Sequence, residues 1–150
     1  KVLVPFPTAA DLVEIANRTT GSRSPQTRKV ADAAMILAMQ QLARSVPIAS
    51  HVLAYAARLI TATHPEDKDA PPSTKQYVRY GASPRGMQAL ILAAKIMALL
   101  DGRYNVAFAD LRQAALPALR HRIILNFEAQ AEGVAADEII KQVLEAVRAE

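Results

Sequence analysis

The residues with the clearest chemical potential are Gly81-Ala82-Ser83-Pro84-Arg85. Ser83 is a good N-cap, and Pro84 suits the first helical position, where a missing N–H costs nothing. Gly81 lets the chain turn sharply before them. Arg85 then stands in the first turn of a helix, the end that favours anions over cations. Arginine gains nothing from the helix dipole there, and a purely structural choice is Asp or Glu. A guanidinium in that place is a candidate phosphate contact, because its N–H fork makes paired, charge-assisted bonds to phosphoryl oxygens.

Other reactive residue types are less informative. His51, His64 and His121 form no H-E-x-x-H or similar close ligand pattern, and there is no cysteine, so no metal site is predicted. Ser83 lacks a G-x-S-x-G elbow, and capping is the better account of it. The acidic pairs Asp67/Asp69 and Asp137/Glu138 read as solvated loop and helix-start charges. Arg120-His121-Arg122 gathers three groups that can be cationic. One of the two arginines is expected to tie the last helices together through a carboxylate, Asp110 or Glu128. There is no G-x-x-x-x-G-K-[ST] loop, so a complete nucleotide hydrolase cannot be read from this chain.

The elements that must position Arg85 follow from composition and periodicity. With 150 residues, 51% of them apolar, the chain is large enough for one domain with a real core. Abundant alanine and only five glycines favour packed helices. No apolar run reaches the roughly 20 residues that span a membrane. The absence of cysteine agrees with a cytoplasmic location, and no secretory leader is visible. A formal charge of +4 with scattered basic residues makes nucleic acid an unlikely partner.

Lys1 to Phe6 reads as extended, with a strand-like Val2-Leu3-Val4, and looks like a piece of a longer protein. Thr8 caps a helix to about Thr19, with Asp11 reciprocating and Leu12, Ile15 and Ala16 facing inward. Gly21 stops it, and Thr20 to Gln26, with Arg23 and Pro25, is a loop. A second helix is predicted over about Ala31 to Ala43. Ser50 caps a third, with Val52, Tyr55, Ala56, Leu59 and Ile60 on one face. Thr61 to Lys75, rich in proline and charge, reads as a surface loop. The helix from Pro84 runs to about Leu100 and ends at Gly102. Its apolar surface is wide enough for a central helix. A short helix over Phe108 to Ala115 follows, and Pro117 starts a new turn. Ile123 to Leu125 is either a short strand or a helical continuation. The last helix is Asp137 to Val147, with Ile139, Ile140, Val143, Leu144 and Val147 inward.

Together these motifs carry a resemblance. Gly81–Arg85, Ala93-Ala94-Lys95, Ala98–Arg103, Val106, Asp110-Leu111 and Leu119–Ile123 are similar to the C-terminal lid of MoxR-type AAA+ ATPases. Glu132-Gly133-Val134, Asp137–Ile140 and the final helix continue the similarity. Val2–Pro7 and Thr20-Gly21 resemble the passage from the nucleotide-binding core into the lid. The resemblance implies an all-α, lid-like helical bundle with an extended N-terminal segment and room for a minor two-stranded β element. Residues 1–7 would then leave the ATPase core and 8–150 would form the lid. Arg85 matches the family's sensor 2 arginine, flanked by Pro84 and Ser83 at the nucleotide. ATP and Mg2+ are implied for the full-length parent and none for this chain alone, which should not hydrolyse ATP by itself. The implied partners are the chain's own N-terminal core, neighbouring subunits of a ring, commonly hexameric, and a metal-dependent adhesion domain client. The parent would act as a chaperone-like or activating ATPase.

Two other function classes compete. A helical protein-interaction module would leave Arg85 merely paired with an acidic side chain. A DNA-binding helical domain has only net charge and helix content in its favour, and salt-dependent DNA retention is its test.

Overall fold

The computed structural model describes residues 1–22 and 26–149. Arg23 and Pro25 of the predicted first loop lie outside the described residues. Among these residues the order is α1 (Ala9–Thr19), α2 (Ala33–Ser45), α3 (Ser50–Thr61), α4 (Pro72–Tyr77), β1 (Val78–Tyr80), α5 (Pro84–Leu100), α6 (Phe108–Leu119), β2 (Ile124–Leu125), α7 (Phe127–Ala131) and α8 (Ala136–Ala146). The fold is mostly helical with one two-stranded sheet, as expected. No helix among the described residues is long and apolar enough to cross a membrane.

Local chemistry sets several helix starts. Thr8 and Asp11 form a reciprocal capping box: the Thr8 hydroxyl accepts from Asp11 N at 3.2 Å, and the Asp11 carboxylate accepts from Thr8 N at 3.0 Å. Asp32 caps α2 by accepting from Met35 N at 2.8 Å. Asn126 caps α7 by accepting from Ala129 N at 3.0 Å. Ser50 is not a cap. It is the first helical residue of α3, and Ala49 holds the cap position without a side-chain bond.

The core lies among α3, α5, α6 and α8. Val52, Tyr55, Ala56, Leu59 and Ile60 of α3 are all buried, as their spacing predicts. Leu90 and Ala94 of α5 share one buried cluster with Leu111, Ala114, Ala115 and Leu119 of α6. Ile139, Ile140, Val143 and Val147 close the bundle from the last helix, with Leu144 partly buried. Tyr55 packs edge-on against Phe108, ring centroids 5.1 Å apart. Arg112 ties three helices: it donates to the Tyr55 hydroxyl at 3.0 Å and to Leu144 O at 2.6 Å.

Four sequence expectations need correction. The α1 face of Leu12, Ile15 and Ala16 is not inward; the whole helix is exposed. Its amphipathic pattern is real, but no described element covers it. Val2 to Val4 are exposed and join no ladder. The Thr61 to Lys75 stretch is not a plain surface loop. It contains the start of α4, and Ala62, Thr63, Ala70, Pro71, Ser73 and Thr74 are buried. Pro117 does not break α6, which continues through it to Leu119. A proline so near a helix end removes one backbone bond from an otherwise well-buried element. Of the two alternatives for Ile123 to Leu125, the strand is the one that forms, over Ile124–Leu125. It pairs antiparallel with β1, matching Val78 to Leu125 and Tyr80 to Ile124 across a bulge.

Candidate functional site

The Gly81–Arg85 turn is held from behind by the end of α3. The Thr63 hydroxyl donates to Ile60 O at 2.6 Å and accepts from Ala82 N at 2.9 Å. Thr63 is fully buried, so both bonds are shielded from water. His64 places Nε2 3.0 Å from Ala82 O. With the proton on Nε2, the ring donates to that carbonyl. Both polar backbone groups of Ala82 are therefore held by two consecutive side chains. Ala82 itself is buried.

Gly81 serves close approach more than a sharp turn. A Cβ there would lie 2.6 Å from Thr63 O and 2.7 Å from the His64 ring. Gly86 has the same purpose on the other side. Its Cβ would stand 3.1 Å from Ala82 Cβ and 3.5 Å from both Arg122 Cδ and Leu119 Cδ2. The first turn of α5 thus packs tightly against the end of α6.

Ser83 occupies the cap position in an extended conformation, but its hydroxyl makes no capping bond. This corrects the expectation. Its carbonyl accepts from Gly86 N at 2.7 Å, and Pro84 sits at the helix start as predicted. Ser83, Pro84 and Arg85 are exposed. Among the described residues Arg85 has neither a hydrogen bond nor an ion-pair partner. The structure therefore brings Arg85 to the surface on a rigid base with its guanidinium free.

The Arg120-His121-Arg122 group is resolved differently from either carboxylate considered. Arg120 pairs with Asp137 at 2.9 Å, joining the end of α6 to the start of α8. Arg122 donates from Nε to Ala118 O at 3.0 Å. Asp110 belongs to Arg103 instead, and Glu128 accepts from Gln76 at 2.6 Å. His121 is exposed, and its pKa is pushed down by desolvation and by the nearby charges of Lys1 and Arg122. Lys1 N donates to Pro117 O at 2.8 Å. The start of the chain, Arg122 and the Arg85 helix turn consequently meet at one end of the bundle.

Among the described residues no three His, Asp or Glu side chains converge as metal ligands would. The roles of Thr63 and His64 were not legible in the sequence. A hydroxyl that bridges to a backbone N–H 19 positions away leaves no local pattern.

Residues 72–143 match the AAA lid domain family. The chain is 29% identical over 147 residues to the chaperone MoxR1 of Mycobacterium tuberculosis, covering 98% of this chain and 39% of that protein. It is 47% identical over 49 residues to the MoxR protein of Paracoccus denitrificans, covering 33% of this chain and 14% of that protein. The crystal structure of a candidate ATPase from Cytophaga hutchinsonii superposes with a TM-score of 0.82 at 29% identity, over 97% of this chain and 44% of that one. The chain spans less than half the length of each of these relatives. With residues 72–143 matching the AAA lid and the similarity running along nearly the whole chain, this is the lid region of a MoxR-type AAA+ protein.

Proposed function

We propose that this lid contributes Arg85 as the sensor 2 residue of an ATP-hydrolysing parent, coupling nucleotide state to lid position. The observation that carries the reading is the unpartnered, exposed Arg85 guanidinium on a tightly fixed turn. Fixed geometry matters because a preorganised charge stabilises developing phosphoryl charge without first having to reorganise. The residues present fit one edge of a triphosphate: the exposed guanidinium of Arg85, held in the first turn of a 17-residue helix. They do not fit a whole site. The Walker elements and the Mg2+ ligands would come from an N-terminal core outside this chain. Bound ATP supplies the transferable phosphoryl group, and the part of Arg85 is to hold its oxygens.

On this reading residues 1–7 lead out of the core and 8–150 form the lid. The contact of Lys1 with the end of α6 supports it, because it puts the core connection at the Arg85 end of the bundle. The parent would work as a cytoplasmic ring, hexameric by family resemblance, acting on a client such as a metal-dependent adhesion domain.

The test is Arg85→Ala in the full-length parent. ATP turnover should fall on the order of 100-fold, with the melting temperature unchanged. Unchanged turnover sinks the assignment. A second reading, a helical interaction module, is favoured by one observation: the apolar groove of about 650 Å3 between α2 and α5, lined by Ile36, Met39, Leu92, Ile96 and Leu100. Partner loss on Met39→Glu, with a silent Arg85→Ala, would select that reading.

A further inference from the structure

The proline- and charge-rich stretch after α3 has no assigned role, yet its root touches the turn that carries Arg85. Thr63 is the last buried residue before that stretch leaves the bundle, and its hydroxyl bridges Ile60 O and Ala82 N at 2.6 and 2.9 Å. The next residue, His64, reaches Ala82 O at 3.0 Å. Gly81 lies so close to both that a methyl group there would overlap the Thr63 carbonyl and the imidazole. From Ala82 only two residues, Ser83 and Pro84, separate this grip from Arg85. Pro84 fixes its own φ, and the Ser83 carbonyl already accepts the Gly86 N–H. Little freedom is left between the grip and the guanidinium's backbone.

We infer that the Thr63–His64 corner is the positioning element for Arg85, transmitting the location of the α3 end to the phosphate-facing turn. The inference rests on the reading of Arg85 given above. Thr63 is a positioning residue and touches no nucleotide. Its hydroxyl is required because it alone can donate to one backbone strand and accept from the other. Valine has the same shape and can do neither. Serine keeps both bonds. His64 completes the grip by occupying the space that the missing Gly81 side chain leaves. The loop that follows is then anchored at its root by the turn it holds, and at its far end by α4.

The experiment is a double-mutant cycle in the full-length parent, using Thr63→Val and Arg85→Ala, with Thr63→Ser as the rescue. Steady-state ATP turnover and the Kd for a fluorescent ATP analogue are read in each. Thr63→Val should lower turnover by roughly tenfold or more, the scale expected for a displaced charge. Thr63→Ser should restore it to within about twofold. In the Arg85→Ala background Thr63→Val should change neither turnover nor Kd, because the residue it positions is gone. A purely structural role predicts the same fractional loss in both backgrounds, and that result overturns the inference. So does a silent Thr63→Val when Arg85→Ala is costly. If Arg85→Ala is itself silent, the sensor reading has failed, and that outcome is distinct. Should Thr63→Val unfold below the assay temperature, His64→Ala replaces it in the same cycle with the same expected pattern.

Discussion

Arg103 grips Asp110 with both Nη atoms, at 3.0 and 2.6 Å, across the turn that joins α5 to α6. The same carboxylate accepts from Ala107 N at 2.7 Å and so closes the first turn of α6. Asp110 is buried, while Arg103 keeps about a third of its surface, 34%, in water. The turn is reinforced by Gly102, whose φ of 71° suits glycine.

Asp110→Asn should destabilise the chain by about 2 kcal/mol at neutral pH. That is less than the loss of a fully buried pair, because solvent screens the exposed side of Arg103. Burial pushes the Asp110 carboxyl up, but the Arg103 and Ala107 hydrogen bonds outweigh it and hold the pKa below the ordinary value of 3.8. A depressed folded pKa means the unfolded chain takes up the proton first. The contribution is therefore full above about pH 5 and is lost as pH falls through the folded pKa. Urea unfolding of both proteins should show their stability gap narrowing below about pH 4. A gap that stays constant across that range would count against the ion pair.

Gly81→Ala should cost about 2–3 kcal/mol, because the new methyl meets the Thr63 backbone and not a yielding side-chain tip. Gly21→Ala meets only ordinary contact with Asn17 O and should change stability by less than about 0.5 kcal/mol. Gly102→Ala has open space but the wrong φ, and about 1 kcal/mol is expected. Chemical denaturation of the three variants ranks them. The order fails if Gly102→Ala is the most damaging.

Leu12→Ala and Ile15→Ala should each alter the stability of this chain by less than about 0.5 kcal/mol, since both side chains are nearly half exposed at 44% and 46%. Leu59→Ala should cost about 2–5 kcal/mol, as expected for a fully buried leucine. Thermal melts of the 150-residue chain check the contrast. Equal losses would mean that α1 is packed in solution.

Elements with strong local signals were legible in the sequence. The α3 stripe and the α8 stripe repeat every three to four residues, and Pro84 marks the start of α5 within its own first turn. The missed features depend on distant partners. β1 is too short to announce itself, and Ile123–Leu125 stays open between strand and helix in the sequence, because the pair exists only where Val78 and Leu125 meet across 47 positions of chain. The five-residue α7 is set by Asn126, whose side chain both caps it and donates to Gln76 O at 2.6 Å. α1 shows the converse error. Its periodicity reports which face seeks cover, not what supplies the cover. At the candidate site, Arg85 could be read from its motif, but the grip of Thr63 and His64 could not.

The boundary of the buried core has a consequence for how the chain unfolds. Among the described residues the buried apolar ones run from Val46 to Val147, and α1 and α2 contribute none. An eleven-residue helix receives too little from its own backbone bonds to persist strongly in water. Cooperativity therefore thins before Val46, where α2 still packs against α5 but, among the described residues, α1 has no such cover. The bundle beyond it melts as one unit, whereas α1 opens at a free energy close to zero unless another surface covers its apolar face. In an assembled protein, amide exchange in α1 would then report docking of that surface, independently of whether the bundle itself is folded.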